Sequence, residues 1–208
     1  MHRKAIIPLI ILMLAASACS SDEPGLKDAF GDQMLIGTAM NRIQVDGTDS
    51  LAKPFIARHF SSVTPENAMK WERIHPEPGR YEFALADSMV AFARSNGMAV
   101  IGHVLVWHSQ TPAWVFQDSL GNPLTRDALL ERMRDHIHTV VGRYKGEILG
   151  WDVVNEAVNE DGSMRRTKWL EIIGDDYIEK AFQYAHEADP EAELYLSLIH
   201  ISEPTRPY

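Results

Sequence analysis

Short apolar runs alternate with longer segments of helical period along this chain, and that alternation restricts the fold more than any other property. "MLIGTAM" (34–40) predicts a strand, followed by a helix around 49–58. "SSVTPEN" (61–67) predicts a shorter strand, then a helix near 83–96 that ends at Asn96-Gly97. "MAVIGHVLVW" (98–107) predicts a third strand, and a long helix at about 125–143 follows Pro123 with Thr125 as its N-cap. "EILGWDVVNE" (147–156) is the fourth strand, succeeded by a helix over 168–187 that stops before Asp189-Pro190, and "AELYL" (192–196) begins a fifth. Strands and helices alternating at this spacing predict parallel βα units, arranged as a doubly wound sheet or a (β/α)8 barrel.

Two features separate these architectures. The turn after the first strand, "GTAMNRIQ" (37–44), lacks the glycine spacing of a dinucleotide site. Unusual polar side chains also collect where successive strands end, the habit of a TIM barrel whose functional face is built from strand tips. A barrel takes about 250 residues. The 208 residues here supply four βα units and a fifth strand, so the predicted class is α/β, a (β/α)8 TIM barrel with about its first four to five units present.

The three strand ends are "PENAMKW" (65–71), "GHVLVWH" (102–108) and "WDVVNEA" (151–157). They bring Glu66, Asn67, Lys70 and Trp71, then His103, Trp107, His108 and the nearby Gln110, then Asn155 and Glu156. Carboxylates, amides, an ammonium, imidazoles and indoles on one face suit a sugar, whose hydroxyls take hydrogen bonds while its apolar face lies on an aromatic ring. Each group alone has a plainer explanation. Glu66 and Lys70 could pair across an exposed helical turn, His103 could be a satisfied core histidine, Trp107 and Trp151 could be core, and Glu156 could pair with Arg165 or Arg166. Those explanations weaken together because all three clusters fall at the same end of successive strands. No metal site is expected: five residues along a strand reverse the side-chain face between His103 and His108, and His136 and His138 do not share a helical face. No cofactor is expected either.

"ENAMKW", "GHVLVWH" and "WDVVNEA", in this order and separation, resemble glycoside hydrolase family 10, the endo-β-1,4-xylanases, over residues 30–196. The resemblance implies a (β/α)8 barrel that hydrolyses xylan or xylo-oligosaccharides with retention. It implies that Glu156 is the general acid/base and that Asn155 hydrogen-bonds the sugar 2-hydroxyl. Glu66, Asn67 and Lys70 would hold the glycone hydroxyls, His103 and Trp107 would line the ring beside the scissile bond, and His108 and Gln110 would support the acid/base. Retention needs two carboxyl groups about 5–5.5 Å apart, one protonated and one ionised. A water-poor cleft and a second carboxylate raise a carboxyl pKa, which suits the acid.

The nucleophilic carboxylate expected from the resemblance lies beyond the fourth strand, and no residue of this chain is assigned to it. After "AELYL" the sequence leaves the family pattern, and "SLIHISEPTRPY" (197–208) reads as a non-native tail on a truncated, inactive fragment. A non-catalytic glycan-binding barrel and a related β-1,4-glucanase stay open as other readings.

The N-terminus carries a separate expectation. Arg3 and Lys4 precede the twelve-residue apolar run "AIIPLIILMLAA" (5–16), too short to span a bilayer, and "SACSSDEP" (17–24) follows. Residues 1–18 read as a signal peptide of lipoprotein type, with Cys19 the lipidated first mature residue and 19–29 a linker. This predicts export and attachment to the bacterial envelope through an acyl anchor alone, with free secretion after cleavage at Ala18 as the other outcome. Cys19 is the one cysteine, which excludes an intrachain disulfide. The whole chain has a net charge of −9, and an acidic chain of this kind repels nucleic acid while remaining compatible with a neutral polysaccharide.

Overall fold

The computed structural model describes residues 24–197. The expected signal segment 1–18, Cys19 and residues 198–208 of the expected tail lie outside the described residues, as does the linker before residue 24.

The elements run α1 (Leu26–Phe30), β1 (Gly37–Met40), α2 (Arg42–Val45), α3 (Ala52–His59), β2 (Ser62–Pro65), α4 (Trp71–Ile74) and α5 (Ala84–Ser95). They continue through β3 (Ala99–Val106), α6 (Arg126–Arg143), β4 (Gly150–Asn155), α7 (Lys168–Ile173), α8 (Tyr177–Ala188) and β5 (Glu193–Ser197). All adjacent strand pairs are parallel, and the spatial order β1-β2-β3-β4-β5 is the chain order. A doubly wound sheet reverses direction at a switch point; this sheet does not, so its path is that of a barrel wall. Helix α1 begins inside the segment expected to be linker and ties to α3, where Lys27 Nζ donates to the carbonyl of Ala57 at 2.7 Å.

The strand register sorts side chains into two faces. Gly102, Trp151 and Leu194 lie abreast on β3, β4 and β5, and His103, Asp152 and Tyr195 form the next row on the opposite face. Trp151 is 1% exposed and lies against Gly102, where an added Cβ would come within 2.2 Å of the indole. Only glycine lets the ring lie flat on the neighbouring strand. Helix α6 covers this layer with Leu129, Met133, His136, Ile137, Val140 and Val141, all buried at helical spacing. Its N-cap is Thr125, whose Oγ1 accepts from the amide of Ala128 at 3.4 Å.

The helix expected over 168–187 is two helices. Gly174 ends α7 with φ 103°, which a side chain rarely adopts, and α8 begins after Asp176. Arg126 fixes the break from α6: its guanidinium donates to both Asp176 oxygens at 2.8 and 2.6 Å and to the carbonyl of Ile173. Among the described residues no helix is long and apolar enough to cross a membrane.

Candidate active site

The β2 tip supplies the first group of polar side chains. The amide of Glu66 continues the β1–β2 ladder to the carbonyl of Met40 at 2.9 Å, which fixes where the following residues turn. Residues 66–70 are not helical, so Glu66 and Lys70 do not form an exposed helical pair. Instead Asn67 Nδ2 donates to Glu66 Oε1 at 3.2 Å, and Lys70 Nζ donates to Asn67 Oδ1 at 3.1 Å. The Lys70 ammonium also stands 4.8 Å from the centre of the Trp107 ring, joining the second strand tip to the third. Burial lowers the Lys70 pKa below the ordinary lysine value, opposed by Glu66, Glu156 and Glu72.

The third tip holds Trp107, His108 and Gln110. The Trp107 carbonyl accepts from Thr111 Oγ1 at 2.8 Å and from the indole nitrogen of buried Trp169 at 2.9 Å, so α7 fixes this turn. Gln110 has φ 46° and reaches Asn67 Oδ1 and Glu72 Oε1, each at 3.4 Å. The Trp107 indole nitrogen is buried with no hydrogen-bond partner among the described residues, a donor left for something else.

The fourth tip carries the acid/base candidate. Glu156 has φ 55°, and Gln110 and Glu156 are the non-glycine residues with positive φ among those described. Strained backbone of this kind persists only when its surroundings hold it, and it collects at functional sites. Three bonds hold it here. The Glu156 amide donates at 2.9 Å to the carbonyl of Ser197, the first residue of the expected tail, which the structure places at the end of β5; Arg165 Nε donates to the Glu156 carbonyl at 2.9 Å, and the Arg165 amide donates to the Ala157 carbonyl at 2.8 Å. The arginine therefore grips the backbone, not the carboxylate. His108 Nε2 lies 3.5 Å from Glu156 Oε2. Its pKa is lowered by burial, with Arg165 acting in the same direction and Glu156 against it. Asn155 is 3% exposed; its Oδ1 accepts from Ser197 Oγ at 3.0 Å, while its Nδ2 is buried and unpartnered.

His103 points away from the helices, and its Nδ1 lies 2.7 Å from Asp152 Oδ2. Sequence reading named His103 and missed Asp152. The signal was a lone carboxylate inside an apolar strand, but its partner is 49 positions away. Arg165 and Trp169, which brace the third and fourth tips, were missed as site residues for the same reason. The structure brings Glu66, Asn67, Lys70, Trp107 and Gln110 into one linked set and places His108 against Glu156. His103 joins Trp107 through a ring contact of 6.5 Å. Among the described residues no three His, Cys, Asp or Glu side chains converge as a metal site.

The family model for glycosyl hydrolase family 10 matches residues 25–204. The chain belongs to glycosyl hydrolase family 10. It is 51% identical over 180 residues to an endo-1,4-beta-xylanase of Geobacillus stearothermophilus, covering 85% of this chain and 52% of that protein. Over 196 residues it is 45% identical to endo-1,4-beta-xylanase A of Xylanibacter ruminicola, covering 94% of this chain and 53% of that one. An intracellular xylanase of Thermoanaerobacterium saccharolyticum JW/SL-YS485, solved as a mutant with xylotetraose, superposes with a TM-score of 0.80 at 44% identity. That match covers 86% of this chain and 57% of the other. The chain thus spans about half the length of these three family 10 relatives.

Proposed function

We propose that this chain carries the acid/base half of a retaining endo-1,4-β-xylanase site acting on internal bonds of xylan or xylo-oligosaccharides. The observation that carries the reading is the strained Glu156 at the β4 tip, with its carboxyl beside His108 and the free amide of Asn155 next to it in sequence. In the first step Glu156 gives its proton to the glycosidic oxygen as that bond breaks, while a second carboxylate bonds to the anomeric carbon. In the second step Glu156 takes a proton from water, whose oxygen displaces that carboxylate. Asn155 Nδ2 donates to the 2-hydroxyl oxygen and so holds the ring in position for the displacement. Lys70 acts as a fixed donor to glycone hydroxyls, with Glu66 and Asn67 beside it, and the Trp107 and His103 rings border the sugar. The second carboxylate is not among the residues assigned here, and we place it in the further length that the relatives have. Family resemblance to xylanases, one of them solved with a xylo-oligosaccharide, supports the substrate.

The test is hydrolysis by the full-length protein of xylan against cellulose, with Glu156→Ala assayed on aryl xylosides of good and poor leaving groups. Loss of general-acid catalysis lowers kcat/KM, which reports the bond-breaking step, by about 10²–10⁴-fold where the leaving group is poor. Equal loss of kcat/KM on all leaving groups would remove Glu156 from the acid role, and preference for cellulose would remove the substrate assignment.

Location is part of the same proposal. One relative is an intracellular xylanase, so membership in the family leaves the compartment to the N-terminal segment. Residues 1–18 direct export and Cys19 takes the acyl anchor. Labelling with radioactive palmitate marks the wild-type protein and not Cys19→Ser; label on both, or on neither, overturns the anchor.

A further inference from the structure

The chain beyond the β4 tip turns back on itself and returns an arginine to the acid. Val158 and Met164 pair as an antiparallel bridge, and the Asn159 amide donates to the Ser163 carbonyl at 2.8 Å. Asp161 Oδ1 accepts from the Ser163 amide at 2.9 Å and from its Oγ at 2.6 Å, and Gly162 turns with φ 83°. This hairpin delivers Arg165 opposite Ala157, nine positions beyond Glu156 in sequence but one hydrogen bond away in space. Two residues on, Thr167 Oγ1 accepts from the Leu170 amide at 3.3 Å and caps α7, whose Trp169 holds the Trp107 carbonyl that precedes His108. The hairpin therefore joins the backbone of Glu156 to the turn that carries His108.

Arg165 is used differently from other arginines of the fold. Arg126 and Arg143 form bidentate pairs with Asp176 and Asp87. Arg165 forms no ion pair with a described carboxylate, and the Nε bond to the Glu156 carbonyl, at 2.9 Å, is its one side-chain hydrogen bond among the described residues. That carbonyl belongs to the residue with φ 55°. A non-glycine residue leaves this region when its surroundings release it, and its side chain then swings to a new direction. A planar guanidinium aims Nε in a fixed direction that an ammonium on a flexible stem does not reproduce.

We infer that Arg165 is a positioning residue for general-acid catalysis: its bond to the Glu156 carbonyl keeps the acid in left-handed backbone, with the carboxyl held beside His108 and aimed at the leaving oxygen. The inference rests on the acid role of Glu156, and Arg165 acts through that residue's backbone. Its charge works in the same sense. Arg165 adds to the burial that lowers the His108 pKa, which favours a neutral imidazole. An imidazolium 3.5 Å from the carboxyl would favour the carboxylate, the form without the proton that the leaving oxygen needs.

The experiment measures kcat/KM of the full-length enzyme, Arg165→Ala and Arg165→Lys on aryl xylosides of good and poor leaving groups. A displaced acid costs most where the leaving oxygen needs its proton, so Arg165→Ala loses about 10- to 100-fold on the poor leaving group. On the good leaving group it stays within about threefold of the parent, because that departure needs little proton transfer. Arg165→Lys keeps the charge without the fixed Nε donor and shows the same selective loss. A smaller folded fraction lowers both substrates by one factor, and circular dichroism with thermal unfolding reads that fraction directly. Where Arg165→Ala does not fold, Arg165→Lys decides by the same ratio. Equal loss on both leaving groups, or loss on neither, removes the positioning role. Glu156→Ala run beside them separates the two readings. Equal loss in that variant removes the acid assignment and Arg165 with it, whereas selective loss there and none in the Arg165 variants removes the positioning role alone.

Discussion

His75 and His136 form a buried pair whose titration sets a stability limit on the acid side. His75 Nδ1 lies 3.2 Å from His136 Nδ1 in a stack where His136 lies 3.6 Å from the Trp71 ring and His75 lies 3.9 Å from Tyr81. One Nδ1 must donate and the other accept, so the bond requires complementary tautomers. Both Nε2 atoms are buried without partners, leaving no group to receive a second proton's charge. Burial pushes the His75 pKa down to about 4, with Arg132 pushing the same way and Asp135 against it. His136, 0% exposed, is pushed well below the ordinary value by burial and by His75. A histidine whose folded pKa lies below its unfolded value contributes full stability above about pH 6.5. As pH falls, the unfolded chain binds the proton first, and that stability drains until the folded pKa is reached. For His75, the interval from 6.5 to about 4 corresponds to about 3 kcal/mol. His136 adds to the slope in the same direction. Urea unfolding of the full-length protein, followed by tryptophan fluorescence between pH 8 and 4.5, reads this loss. Replacing both histidines, His75→Phe with His136→Phe, removes donor and acceptor together, a change that can be nearly neutral at pH 8, and flattens the acid slope. A double variant that keeps the full slope would show that the pair is not its origin.

Other consequences concern packing and the fixing of the site. Gly102→Ala drives a Cβ into the Trp151 indole, so it lowers stability by about 1–3 kcal/mol or more, and thermal unfolding of Gly102→Ala alone against Gly102→Ala with Trp151→Leu shows partial rescue. Trp169→Phe deletes the donor to the Trp107 carbonyl, costing about 1 kcal/mol because Thr111 still occupies that oxygen; a denaturant midpoint unchanged from wild type would contradict it. Arg126→Ala releases the α7–α8 break and leaves the Ile173 carbonyl and Asp176 unpaired, so amide exchange quickens first at residues 173–178.

The repeating βα units, the capped start of α6 and the polar strand tips were legible in the sequence because each depends on a local pattern. Thr125 announces its helix within three residues, and Asn155 and Glu156 stand out because they interrupt an apolar run. The division of 168–187 was less legible. Gly174 offered a hint, but the bonds that fix the break come from Arg126, about 50 positions earlier. Asp152 looked like one carboxylate in a strand until the register set it beside His103, and Arg165 looked like an ion partner for Glu156 until its Nε proved to hold the backbone carbonyl.

Sequence by itself determined that the chain builds parallel βα units and that its unusual polar side chains gather at one end of them, since strand period, helix caps and motif order are written along neighbouring residues. Only the tertiary structure decided that the strands lie in chain order as a barrel wall. It also decided that Glu156 sits in strained backbone beside His108, and that Asp152, Arg165 and Trp169 brace the groups at the strand tips. Those contacts join residues that lie far apart along the chain or bind through backbone atoms, and no local pattern of side chains records them.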